Sequence, residues 1–261
     1  MRRAIEALER SKDHERLEIL VVDCGSQDGS PRLDAEYPSI QMLRLPHHFG
    51  ATKAMNVATR TAKADLLFFV SPDVEVQPDT VMRLADKLDQ DSDTTAAAPL
   101  LVDREGRTVP HSRPLPSPEN LYPAPADVDP AQESVAIGYP GLEALMVRKQ
   151  FVRGMNYFDE RFGNSWADAD LAMQIRRAGK KIRVYPAIRA ILDERSNPLQ
   201  GDVLALADEA LGAAAFLGKY YGFFSGFRFR LAAILKALGN FQLRLLGYLI
   251  SGQKLDGSQA G

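Results

Sequence analysis

Three aspartates, far apart in the chain, are where this sequence could do chemistry. Asp23 ends the run Ile19-Leu20-Val21-Val22. Asp73 stands in Ser71-Pro72-Asp73-Val74-Glu75, directly after Asp65-Leu66-Leu67-Phe68-Phe69-Val70. Asp168 stands in Trp166-Ala167-Asp168-Ala169-Asp170-Leu171. The two apolar runs read as strands covered on both faces. A carboxylate at the carboxyl end of such a strand lies where open α/β sheets bind ligands, because the loops there splay into a crevice. Asp73, at the same sheet edge, could hold a divalent cation on a diphosphate. Magnesium or manganese suits that task, since both take oxygen ligands and leave positions open for phosphate. Asp168 and Asp170, two residues apart at a helix start, point in different directions. One can face a pocket as a general base while the other meets the helix N-terminus. Taken singly, each aspartate is also an ordinary cap or turn former.

Two polar segments accompany them. In Cys24-Gly25-Ser26-Gln27-Asp28-Gly29-Ser30, Gly25 and Gly29 permit backbone that a side chain forbids, and Ser26 and Asp28 can cap the next helix. In His47-His48-Phe49-Gly50-Ala51-Thr52-Lys53-Ala54-Met55-Asn56, a loop enters a helix that carries Lys53 and Asn56. Lys53 can reach a phosphate or stay solvated. Neighbouring histidines rarely share an ion, so His47 and His48 are not read as a metal site.

The elements that must position these residues alternate. Strands are predicted at 19–22, 40–45, 65–70, 95–102, 143–147, 181–185 and 188–192. Helices are predicted at 4–10, 51–61, 78–89 and 168–178, the last ending at Gly179. This rhythm predicts an α/β fold with a mostly parallel sheet flanked by helices. Seven prolines between 110 and 130 exclude a central strand or a helix there. That segment is expected to cross the surface as a long loop, either a mobile excursion or a wall near an acceptor site. After Asn197-Pro198 the composition turns rich in Ala, Leu, Phe and Gly, and 203–250 is expected to be helical. The expected division is 1–197 and a C-terminal helical extension, 198–261.

Bulk properties narrow the class. A net charge of -2 gives no global sign of nucleic-acid binding. The single cysteine, Cys24, excludes an intramolecular disulfide framework and a cysteine-rich zinc site, which fits a reducing compartment. No secretory signal is read in the charged start Met1-Arg2-Arg3-Ala4, and no run of about 18 apolar residues reads as a spanning helix. The turn after Val22 lacks Gly-x-Gly-x-x-Gly, which sets aside a dinucleotide-dependent oxidoreductase.

With these residues in place, the chain resembles family 2 glycosyltransferases, in particular their rhamnosyltransferase-like branch. The similar pieces are Val22 to Ser30, Gly50 to Asn56, Ser71-Pro72-Asp73-Val74, Phe158-Asp159-Glu160 to Leu171, and Arg177-Ala178-Gly179 to Pro186. They occur in the family order over about residues 17–193. The resemblance implies a GT-A fold, a nucleotide-sugar donor bound by Asp23, Gly25, Ser26, Lys53, Asn56 and Asp73, and a magnesium or manganese ion at Asp73. It implies that Asp168 deprotonates an acceptor hydroxyl, with inversion at the sugar, in cell-envelope polysaccharide synthesis. The acceptor would be a glycan or a lipid-linked sugar, and the location cytoplasmic or on the inner face of the membrane. Four departures stand out. The family's first strand, with its Pro-x-Tyr-Asn type motif, has no counterpart before Met1. Ser71 replaces an Asn, Ala167 a Glu, and Leu192 a His. These favour an alternative, a catalytically degenerate glycosyltransferase-like binding protein.

Between Phe223 and Ile250 the cations Arg228, Arg230, Lys236 and Arg244 occur with no acid, among Phe and Leu at roughly helical spacing. Such a segment can lie on an anionic membrane, pack on the catalytic domain, or pair in a homodimer.

Overall fold

A computed structural model describes residues 1–26, 32–193 and 202–254. Gln27 to Ser30, with the expected cap Asp28, and the break at Asn197-Pro198 lie outside the described residues.

A central sheet organises the molecule. Its strands are β3 (Leu66–Val70), β4 (Val74–Val76), β5 (Thr94–Val102), β6 (Val135–Ile137), β7 (Ala144–Arg148) and β8 (Lys181–Leu192), in the order β3-β7-β5-β8-β4 with β6 also paired to β8. A separate pair, β1 (Ile19–Asp23) and β2 (Ile40–Arg44), runs parallel. The sheet is mixed rather than mostly parallel. β5 and β8 are parallel, but β7 runs antiparallel to both β3 and β5, and β8 antiparallel to β4 and β6. Local pattern cannot report strand direction, because an apolar run is equally buried either way.

β5 lies at the centre and is buried at every position. Its side chains alternate between two layers. Ala96, Ala98, Leu100 and Val102 meet Phe162, Trp166 and Phe216 in the larger core. Ala97 faces Leu84 and Leu88 of α4 (Thr80–Gln90), together with Met146 and Ile188. Val81, Leu84 and Leu88 recur at helical spacing, which gives α4 one apolar stripe. Pro99 is tolerated in this central strand because the β5–β8 register shifts between Pro99 and Leu100. The same shift joins the two short strands expected at 181–185 and 188–192 into one, with Pro186 inside the irregularity.

The helix α1 (Arg2–Glu9) buries Ala4, Ile5, Ala7 and Leu8. The Met1 amino group donates to the Pro72 carbonyl at 2.8 Å, just ahead of Asp73. β1 and β3 are not paired to one another, and a groove of about 420 Å³ between them is lined by Ile19, Leu20, Leu66, Phe68 and Val70. The remaining helices are α2 (Leu33–Glu36), α3 (Ala51–Thr61), α5 (Lys149–Gly154), α6 (Ala167–Arg177), and the C-terminal trio α7 (Val203–Tyr221), α8 (Phe223–Gly239) and α9 (Leu243–Ser251).

Candidate functional site

A cavity of about 580 Å³ opens where the end of β3, the start of α3 and the start of α6 come together. Ser71, Ala51, Met55, Asp168 and Glu143 line it, and so do Arg113, Leu121 and Tyr122 from the proline-rich segment. That segment therefore forms a wall of the cavity. Backbone pairing of Arg113 with Tyr139 anchors it. At Gly138 an added Cβ would lie 2.3 Å from the Arg113 carbonyl oxygen, so only glycine permits the close approach.

Asp168 is surrounded by protein but keeps part of its surface open to the cavity. Its Oδ1 accepts the Ala169 N–H at 2.8 Å. Burial pushes its carboxyl up to about 6. The negative charge of Glu143 adds to the rise, while the Ala169 N–H and the Arg113 guanidinium oppose it. Glu143 itself is raised, by its crowded surroundings, against the pull of Arg113. The Glu143 carboxylate folds over Gly141, where φ is +80° and any Cβ would strike it. Three carboxylates, Asp168, Glu143 and Glu209, and the Arg113 guanidinium thus share the cavity.

Asp170 takes a different part from the one expected. It does not turn back to its own helix N-terminus. It is buried against α7, where Lys219 Nζ lies 2.7 Å from its Oδ1 and the Tyr220 hydroxyl donates to the same oxygen. Lys219 also donates to Asp159 at 3.1 Å. Burial alone would raise Asp159, but hydrogen bonds from Arg161 and Lys219 hold it well below the usual carboxylate range. α7 is in this way bolted onto the start of α6.

A second clamp comes from α3. The Thr52 N–H and hydroxyl donate to the Gly163 carbonyl at 2.9 and 2.6 Å, and the Ala51 N–H to Asn164 Oδ1 at 2.9 Å. Asn56 is buried. Its amide donates to the Phe158 carbonyl and accepts the Phe158 N–H, both at 2.9 Å. Asn56 thus ties α3 to the loop before α6. Lys53 places its ammonium 4.3 Å from the Phe49 ring centre.

Asp23 is buried at the end of β1 and accepts the Ser26 N–H at 3.2 Å, closing a turn. Gly25 has φ +79°, and a Cβ there would lie 2.8 Å from His47 Cα. Asp23, Gly25 and Ser26 form one turn packed on the His47 loop that leads into α3. Asp73 is exposed, and its carbonyl accepts the Asp193 N–H at 3.0 Å. Of the three aspartates, Asp168 lines the cavity. Asp23 and Asp73 lie outside its lining, although Ser71, two residues before Asp73, lies within it. Among the described residues no group of three or more His, Cys, Asp or Glu side chains converges as a metal site. Protein ligands alone therefore do not fit a divalent cation here.

Sequence reasoning missed Arg113, Glu143 and Asn164. Arg113 is a lone cation among prolines, and Glu143 reads as a strand start. Asn164 Oδ1 is taken by Ala51, and its buried Nδ2 has no hydrogen-bond partner among the described residues while the residue lines the cavity. A buried donor of that kind calls for an acceptor.

Comparison with known proteins agrees with this architecture. Residues 1–144 match the profile of glycosyl transferase family 2, and the chain belongs to that family. Over 208 residues it is 25% identical to the N-acetylglucosaminyl-diphospho-decaprenol L-rhamnosyltransferase of Mycobacterium tuberculosis, covering 69% of this chain and 67% of the relative. Among solved structures, GalNAc-T7 with UDP, GalNAc and Mn2+ superposes with a TM-score of 0.68 at 13% identity, over 95% of this chain and 52% of the other. The chain thus spans about half the length of that glycosyltransferase. TarS of S. aureus with UDP-GlcNAc gives a TM-score of 0.60 at 17% identity, over 95% of this chain and 76% of its own. The mannosyltransferase PcManGT of Pyrobaculum calidifontis, with GDP-Man and Mn2+, gives 0.57 at 17%, over 95% and 80%. These likenesses show a GT-A fold.

Proposed function

We propose that this glycosyltransferase moves a sugar from a nucleoside-diphosphate donor to an acceptor hydroxyl, with inversion, and that Asp168 is its base. One observation carries the reading: a cavity-facing carboxylate held near 6, close enough to neutrality to accept a proton from a hydroxyl as that oxygen attacks. The acceptor oxygen attacks the anomeric carbon and its proton passes to Asp168. The bond from that carbon to the diphosphate oxygen breaks, and its electron pair leaves with the nucleoside diphosphate. Arg113 supplies positive charge to the cavity, and Asn164 Nδ2 supplies a donor for a sugar oxygen. The turn of Asp23, Gly25 and Ser26 recognises the base, and Lys53 meets the diphosphate. Asn56, on the buried face of α3, contributes by holding the loop before α6. A magnesium or manganese ion would neutralise the departing diphosphate; Asp73 is the residue to hold it, with donor oxygens and water as the other ligands.

The relative's name supports an activated L-rhamnose as donor and an N-acetylglucosaminyl-diphospho-polyprenol as acceptor, hence a place in cell-envelope polysaccharide synthesis at the cytoplasmic face of the membrane. The test is Asp168→Asn with a panel of nucleotide sugars plus manganese. Loss of transfer with donor binding intact supports the assignment, and retained transfer removes Asp168 from the base role. Ser71, Ala167 and Leu192, where the family carries Asn, Glu and His, favour a second reading, a degenerate binding protein. Calorimetry that shows no heat from any donor would favour it.

A further inference from the structure

The C-terminal trio carries an apolar surface that the fold leaves uncovered. Phe223, Phe224, Phe227, Leu231, Leu235 and Leu238 of α8 are all exposed, the two leading phenylalanines at 74% and 77%. Five of them, from Phe223 through Phe227, Leu231 and Leu235 to Leu238, step by three or four residues. On a helix this confines them to about a third of the circumference. Phe241, 86% exposed, and Leu243 extend the stripe through the turn into α9. The opposite side of α8 is locked to α7. Gly226 is buried so tightly that a Cβ would lie 2.4 Å from the Ala214 carbonyl oxygen. The stripe is therefore the outer face of a rigid helix pair.

Charge decides the occupant. Between Glu209 and Asp256 the sequence has no acid. Arg230 is spent on the Leu249 carbonyl, and Lys219 on Asp159 and Asp170. Arg228, which borders the stripe, and Lys236 and Arg244 are exposed. A second copy docking by the same face would bring cations against cations with no acid to meet them. No helix among the described residues is long and apolar enough to cross a membrane. An anionic lipid surface satisfies both features, since it takes aromatic and leucine side chains into its headgroup boundary and attracts Arg228 at their border and the net positive charge of the trio.

We propose that the outer face of α8 and the turn into α9 dock on an anionic membrane surface. The docking is independent of the transfer chemistry. It fixes the orientation of the catalytic cavity to the membrane, because α7, to which α8 is locked, supplies Glu209 to the cavity and holds Trp166 through its Nε1–H on the Glu209 carbonyl at 3.0 Å.

The test is sedimentation of the full chain with vesicles of phosphatidylcholine alone, or with one third phosphatidylglycerol, at low and at molar salt. Wild type should sediment with the anionic vesicles and be released by salt. Each cation near the surface is worth roughly fivefold in partitioning, so R228E, which also reverses the charge, should bind at least about fivefold more weakly. F224S/F227S/L235S should lose binding while its thermal melt is unchanged, because all three side chains are exposed. If its melt is lost, Phe224→Ser alone replaces it. Equal recovery on neutral and anionic vesicles overturns the proposal. So does a concentration-dependent dimer that F227S/L235S disperses in the absence of vesicle binding. Neither assay contains donor or acceptor, so failure here leaves the transferase reading standing.

Discussion

Asp168→Asn should both abolish transfer and stabilise the fold. In the folded protein the carboxyl sits at about 6, against 3.8 in the ordinary case. A group raised on folding binds its proton more tightly in the native state. Its own contribution to stability is therefore fully present below about pH 4 and is lost as pH rises through about 6. At neutral pH that gap corresponds to about 3 kcal/mol of destabilisation, carried by an ionised carboxylate crowded by protein and Glu143. Asparagine keeps the oxygen that accepts the Ala169 N–H and carries no charge. Urea melts of wild type and variant at a series of pH values measure the difference. The variant should be the more stable at neutral pH, by up to about 3 kcal/mol, and the two curves should converge below about pH 4. Transfer by wild type should fall about tenfold for each pH unit well below 6, and the variant should lose on the order of 10²–10⁴-fold. A variant less stable than wild type at neutral pH, or a wild-type rate that stays flat below pH 5, would refute the account of Asp168.

Four further outcomes follow from the same geometry. Glu143→Gln should move the acid limb of the rate profile to lower pH, whereas Arg113→Met should move it higher and raise KM; unmoved limbs would separate both residues from Asp168. Gly25→Ala forces a Cβ to 2.8 Å from His47 Cα at φ +79°, and calorimetry should show weaker nucleotide binding with little loss of overall fold. Lys219→Met leaves the buried Asp170 without its cation and should cost about 3–5 kcal/mol in a denaturant melt. Removing divalent cations with a chelator should weaken donor binding in wild type and leave Asp73→Ala unaffected; an equal loss in both would place the ion elsewhere.

Much of the scaffold could be read from short stretches. The apolar runs of β1, β3 and β5 and the periodicity of α3 and α6 are local properties, so their positions came within a residue or two. Asp168 was legible because its helix start is local. Strand direction was not legible, and the sheet proved mixed. The proline-rich segment gave only the exclusion of helix and strand. Its packing on Gly138 depends on a contact between segments that start some 25 residues apart.

By itself, then, the chain determined where helices and strands begin and which carboxylates stand at their ends, because those choices follow from neighbours within a few residues. Only the tertiary structure decided what each carboxylate does. Asp168 and Asp170 differ by two positions in one helix, yet one looks into a cavity beside Glu143 and Arg113, and the other is sealed by Lys219 and Tyr220. Proton affinity depends on burial and on charges brought close by folding, and those distances are not written in any local stretch of residues.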